Sequence, residues 1–146
     1  MTERKNPPLS DYLCFAVYSA NLAFGRAYRP ILEPLGLTYT QYVALVALWE
    51  QDDQTVGALG EKLFLESNTL TPILKKLEQT GFVERRRDPA DERQVRVRLT
   101  QKGQGLQDAC IGDRLIDATG LGGDFVRVQK AIADLRDNLL RSTRDQ

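Results

Sequence analysis

SNTLTPILKKLEQTG, residues 67–81, places apolar and polar side chains at the period of an α-helix. Leu70, Ile73, Leu74 and Leu77 fall on one face, and Thr69, Thr71, Pro72, Lys75, Lys76 and Gln79 on the other. The apolar face demands a core. The opposite face has hydroxyls near its N-terminal end and two lysines a turn later, groups that hydrogen-bond base edges and phosphates. Such a face is equally suited to plain solvation, so the flanking segments decide between the two.

On the N-terminal side, Thr55 caps a short helix in which Val56, Leu59 and Leu63 point inward, and Phe64 to Glu66 turns the chain into residue 67. Two helices joined by so short a turn follow the helix-turn-helix plan, in which the first braces the second against a major groove. On the C-terminal side Gly81 ends the helix, FVERRR follows, DPADERQ supplies turn formers, and VRVRLT alternates Val95, Val97 and Leu99 with Arg96 and Arg98. That is a β-hairpin with an arginine-bearing tip. Alone it reads as well as a solvated hairpin whose charges deter edge pairing; a helix-turn-helix followed at once by a basic hairpin is the order of a winged helix.

Further out, Ser10 or Asp11 caps a first helix of about five turns that stops at Pro30. Its stripe of Leu13, Ala16, Val17, Ala20, Ala23, Phe24 and Ala27 is wider than one small core needs, which points to a partner subunit. Thr38 or Thr40 caps a second helix, apolar on most sides through Tyr42, Val43, Leu45, Val46, Leu48 and Trp49. Thr100 caps a helix through Leu106 and Ile111 to about Ala118, and after Gly120, Gly122 and Gly123 a last helix starts near Asp124. Phe125, Val128, Ile132, Leu135 and Leu139 make a seam there for packing between subunits or against its own chain.

At 146 residues and zero formal net charge, the chain suits one domain and disfavours a globally basic, non-specific nucleic-acid binder. The charge is polarised: from Lys62 to Lys102 there are ten cations against six anions. MTERKNPPLS lacks an apolar signal core and no run reaches membrane-span length, so a soluble cytoplasmic protein with no membrane partner is expected. With no histidine, and Cys14 and Cys110 far apart, metal sites, cofactors and histidine-based catalysis are not expected, nor is an enzyme.

The run LESNTLTPILKKLEQTGFVERRRDPADERQVRVRLTQKG resembles the recognition helix, wing, DxR motif (Asp91-Glu92-Arg93) and LTxxG of the MarR family of dimeric winged-helix repressors, and the resemblance covers nearly the whole chain. Within that family it is most similar to the organic-hydroperoxide-sensing, OhrR-type branch, on Cys14 in LCFAVYSA, Tyr18, Tyr28 in AYRPIL and Tyr39 in GLTYTQY. The implied fold is mainly α with a small β-hairpin wing: a winged helix-turn-helix over 37–103, flanked by a helical dimerisation region formed by 1–36 and 104–146. The implied function is a homodimeric repressor of double-stranded operator DNA, with an organic hydroperoxide as inducer.

Residue chemistry supports a sensing role for Cys14. In the first turn of a capped helix, unpaired N–H groups and the helix dipole favour a thiolate, the form that attacks peroxides. Phe15, Tyr18 and Phe24 offer an apolar lining; the bland alternative is a buried, inert cysteine. Tyr28 lies fourteen positions along the helix, about 21 Å away, so it cannot reach Cys14 of its own chain. The resemblance implies that Tyr28 and Tyr39 hydrogen-bond the cysteine across the dimer. It also makes Cys110 a candidate resolving cysteine, against the alternative that Cys110 fills the core beside Leu106 and a small thiol reacts instead. Ser67, Asn68, Thr69, Thr71, Pro72, Lys75 and Lys76 are the major-groove candidates. Arg93, braced by Asp91, is the minor-groove probe, and Arg85, Arg86 and Arg87 are for phosphates. A rival reading keeps the repressor but releases it by reversible binding of a small phenolic ligand, with Cys14 silent.

Overall fold

The computed structural model describes residues 6–144; the expectations resting on residues 1–5 and 145–146 lie outside the described residues. The elements are helices α1 (Leu13–Leu32), α2 (Tyr39–Glu50), α3 (Val56–Leu63), α4 (Ser67–Gln79), α5 (Gln101–Gly105), α6 (Ile111–Ala118) and α7 (Phe125–Arg144), and strands β1 (Gln54–Thr55), β2 (Val83–Asp88) and β3 (Asp91–Leu99). The fold is mainly helical with a small antiparallel sheet, in the order β1-β3-β2. Contacts divide the chain into two compact units, one ending at Cys110 and the other starting at Ile111.

The core of the first unit is built on α2. Leu45 and Leu48 are fully buried, with Leu59 of α3, Leu70, Leu74 and Leu77 of α4, and Val97 of β3. Local chemistry sets the ends of these helices. Thr38 accepts from the Gln41 N–H while the Gln41 side chain accepts from the Thr38 N–H, a reciprocal capping box on α2. Thr55 caps α3 and Thr100 caps α5, each accepting one backbone N–H of the first turn. Gly81, at φ 87°, lets the Phe82 N–H reach back to the Leu77 carbonyl and close α4.

Several expectations are corrected. Neither Ser10 nor Asp11 caps α1: they lie in a 3₁₀ turn, Leu9–Asp11, and α1 starts after Tyr12, whose side chain makes no cap bond. Nor does α1 stop at Pro30, because a proline in the last turn removes one helical bond without preventing the turn from closing. The helix expected through Leu106 and Ile111 is broken. A 3₁₀ turn follows α5, and Cys110 takes a left-handed conformation, φ 53°, before α6 begins. The wing turn is tighter than DPADERQ suggests, since β3 starts at Asp91 and leaves Pro89 and Ala90 at the tip. Thr55, expected only as a cap, also pairs with Arg96, and Gln54 before it with Val97, as a third strand.

α1 buries only Leu32, leaving Leu13, Val17, Leu22 and Phe24 exposed. In the second unit, Gly120 and Gly122 adopt positive φ ahead of α7, which buries none of its side chains. No single helix among the described residues is long and apolar enough to cross a membrane.

Candidate functional sites: the basic surface and the Cys14 face

α3 and α4 meet at a turn in which Phe64 is left-handed and the Leu65 N–H bonds the Gly60 carbonyl at 2.9 Å. A Cβ on Gly60 would stand 2.6 Å from the Leu65 carbonyl oxygen, so only glycine lets the two helices come this close. With Leu70, Leu74 and Leu77 buried, α4 turns Ser67, Asn68, Thr69, Pro72, Lys75 and Lys76 to solvent. Its N-cap, Glu66, makes no side-chain cap bond, which leaves first-turn N–H groups open toward an anion. Thr71 departs from the expected pattern. It is half-buried and its hydroxyl donates to the Ser67 carbonyl at 2.7 Å, so towards a base it can only accept.

The wing sorts its arginines by partner. Arg93 is held by Asp91 through Nε to Oδ1 at 3.1 Å and Nη2 to Oδ2 at 3.3 Å, with the Arg93 N–H also donating to Oδ1, yet its side chain is 90% exposed. The result is a pre-oriented cation at the wing tip. Arg86 pairs loosely with Glu84 and stays exposed, and Arg87 donates to the Glu92 carbonyl across the hairpin. Arg85, expected at a phosphate, is engaged within the chain: its Nε and Nη2 both reach Glu78 Oε1 at 3.2 Å, and its N–H donates to Oε2, tying β2 to the last turn of α4. Arg96, absent from the expected set, donates to Asp53 and to Asp88. Period-two patterning puts Arg96 on the outer face but carries no sign of partners this distant in sequence.

The Asp91 bond is testable alone. The Arg93 guanidinium holds the Asp91 carboxyl below the usual aspartate range. A depressed folded-state value means the clamp is complete above that range and is lost as pH falls through the lowered value. In a side-chain NMR titration, Asp91 should titrate below a free aspartate and rise part of the way toward the ordinary value in Arg93→Ala, which removes the guanidinium but keeps the residue 93 N–H bond; an unchanged midpoint in that variant would refute the side-chain pairing.

Cys14 is the second residue of α1 and is exposed, so the chain by itself does not bury it. It lines an apolar hollow of about 390 Å³ with Leu9, Tyr12, Phe15 and Tyr18. Sequence reasoning supplied Phe15 and Tyr18 but missed Leu9, which lies in the 3₁₀ turn, and Tyr12, which links that turn to α1. At the other end of α1, the rings of Tyr28 and Tyr39 meet at a tilt with centroids 5.6 Å apart, and Phe24 lies 5.3 Å from Tyr28. Burial, and then Tyr39, keep the Tyr28 hydroxyl above its ordinary pKa, so it remains a donor at neutral pH. The uninterrupted helix confirms that Tyr28 is far from Cys14 within one chain. Cys110 is exposed rather than packed in the core beside Leu106. No group of residues able to hold a metal ion occurs among the described residues.

A family model described as transcriptional regulator SarA/Rot matches residues 26–110. The chain is 47% identical over 142 residues to the HTH-type transcriptional regulator TtmR of Methylorubrum extorquens, covering 94% of this chain and 73% of that one. It is 38% identical over 134 residues to the organic hydroperoxide resistance transcriptional regulator of Bacillus subtilis, covering 90% and 91%. The chain belongs to the MarR family of winged-helix transcriptional regulators. Among solved MarR-type structures it is similar to reduced AbfR bound to DNA, with a TM-score of 0.78 at 36% identity over 92% of this chain and 96% of that one. AbfR, from Staphylococcus epidermidis, has also been solved overoxidized on DNA and in a disulfide form. The MarR-type order of elements therefore places α4 as the second helix of the helix-turn-helix and β2–β3 as the wing.

Proposed function

We propose that the protein is a homodimeric repressor that binds a pseudo-palindromic operator and releases it when an organic hydroperoxide oxidises Cys14. The observation that carries this reading is an exposed thiol, second in its helix, set in an apolar hollow. Residues 1–36 and 104–146 form the dimerisation region and 37–103 the DNA-binding domain. In that arrangement α4 enters the major groove with Ser67, Asn68, Thr69, Thr71, Pro72, Lys75 and Lys76, while Arg93 reaches the minor groove and Arg86 and Arg87 approach phosphates. The bare apolar faces of α1 and α7 are covered by the partner. The relatives support the redox part: the Bacillus subtilis protein is named for organic hydroperoxide resistance, and AbfR has been solved both reduced on DNA and with a disulfide formed.

Chemically, the Cys14 thiolate attacks one peroxide oxygen. The O–O bond breaks, an S–O bond forms, and the alkoxide leaves and takes a proton. Sulfur is oxidised to sulfenic acid as the peroxide is reduced to an alcohol. A second thiol, from Cys110 of the other protomer or a small molecule, then displaces water to form a disulfide. Antiparallel ends of two α1 helices bring Tyr28 and Tyr39 of one protomer to Cys14 of the other, where hydroxyl donation stabilises the thiolate.

The test is operator binding by gel shift, with a duplex that the wild-type protein selects from a random pool, before and after one equivalent of cumene hydroperoxide. Wild type should lose affinity by roughly 5–150-fold, the usual span of coupling between two sites, and Cys14→Ser should bind equally well and stay bound. Release of Cys14→Ser by a phenolic ligand, with no response of wild type to peroxide, would replace this reading with a reversible ligand switch.

A further inference from the structure

Arg96 stands in the middle of a bridge between the body of the winged helix and the tip of its wing. On the body side, Asp53 ends the α2–α3 turn in a left-handed conformation, φ 58°. Arg96 Nε donates to Asp53 Oδ1 at 2.9 Å and Nη2 to the Asp53 carbonyl at 2.7 Å. The neighbouring Asp52 accepts the Leu99 N–H at 2.9 Å, extending the two-residue pairing of β1 along β3. On the wing side, Arg96 Nη1 donates to Asp88 Oδ2 at 3.3 Å. Asp88 sits at the bulge beside the tip, only 13% exposed, and its other oxygen accepts the Ala90 N–H at 2.9 Å. The next residue, Asp91, holds Arg93. One planar fork thus links the turn after α2 to the turn that carries Arg93, a geometry that a lysine's point charge cannot reproduce.

We propose that Arg96 is a positioning residue that fixes the wing tip, and with it Arg93, relative to α4, so that one rigid unit meets both grooves of the DNA. This rests on the reading of the wing as a DNA-contacting element. Arg96 itself faces Asp53 and Asp88 and touches no DNA. Its effect on affinity passes through Arg93.

A double-mutant cycle on the selected duplex tests this. Arg96→Met keeps the apolar stem and removes the fork. Arg93→Ala and Arg96→Met should each weaken binding about tenfold, in the range of a single lost side-chain contact, and the double variant should bind within about twofold of Arg93→Ala. Arg96→Lys should resemble Arg96→Met. The salt dependence should lose the same slope in Arg96→Met as in Arg93→Ala, a readout that loss of stability alone does not move. A double variant about a hundredfold weaker, or Arg96→Met binding like wild type while Arg93→Ala does not, would overturn the positioning role. Wild-type binding by Arg93→Ala would instead remove the wing contact itself and the inference with it. If Arg96→Met melts below the working temperature, Asp53→Gly, which suits the positive φ and removes the carboxylate that accepts Arg96 Nε while keeping the backbone carbonyl that accepts Nη2, takes its place, with weakening in the same direction and again little further loss when combined with Arg93→Ala.

Discussion

Gly103→Ala should destabilise the winged helix by about 3 kcal/mol or more, read as a lower urea midpoint with unchanged slope. The reason is backbone against backbone. A Cβ at residue 103 would fall inside contact distance of the Phe82 carbonyl carbon and oxygen, with the Leu99 side chain 3.1 Å away, and none of the backbone atoms can swing aside. That region is stitched closely: the Thr100 N–H donates to the Phe82 carbonyl, the Thr100 hydroxyl to the Gly81 carbonyl, and Lys102 Nζ to the Thr80 carbonyl. Trp49 Nε1 donates to the Gly103 carbonyl at 2.9 Å, so moving α5 away to make room also strains a partly buried bond worth about 1 kcal/mol. The glycine of the LTxxG run is therefore a packing requirement between α5 and the end of α4. An alanine variant with wild-type stability would show that this closeness is not needed.

Leu74→Ala should cost about 2–5 kcal/mol, the range for truncating a fully buried leucine. Leu74 has no exposed surface and lies on the reverse of the face carrying Lys75 and Pro72. The cavity opens beneath the helix proposed to read DNA. Operator affinity should therefore fall more than it does for Leu45→Ala, an equally buried change in α2, when both variants are compared at temperatures where they are fully folded. Equal affinities for the two would mean that seating of α4 does not depend on this contact.

How much of this was legible in the sequence follows from the range of the forces involved. Short-range signals were readable: Thr38, Thr55 and Thr100 all cap helices, and Leu70, Leu74 and Leu77 are core as their spacing requires. Pairings across many residues were not. β1 is two residues long and exists because β3 lies beside it, and Arg96 finds Asp53 forty-three positions away. The break at Cys110 falls on neither a proline nor a glycine, yet the cysteine there takes φ 53°. At the N-terminus two good capping residues were available, yet the helix begins beyond both, since a 3₁₀ turn satisfied Asp11 and Tyr12 N–H groups first. The thiol site was legible as residue types, but its hollow needed that 3₁₀ turn.

The Glu78–Arg85 clamp joins the last turn of α4 to the first residues of the wing. For a DNA-binding regulator searching a long duplex this bears on kinetics. Helix and wing arrive already in register, so an encounter needs no folding step before it becomes productive, and capture can run at the pace of collision and sliding. Discrimination between sites is then left to how long each complex lasts.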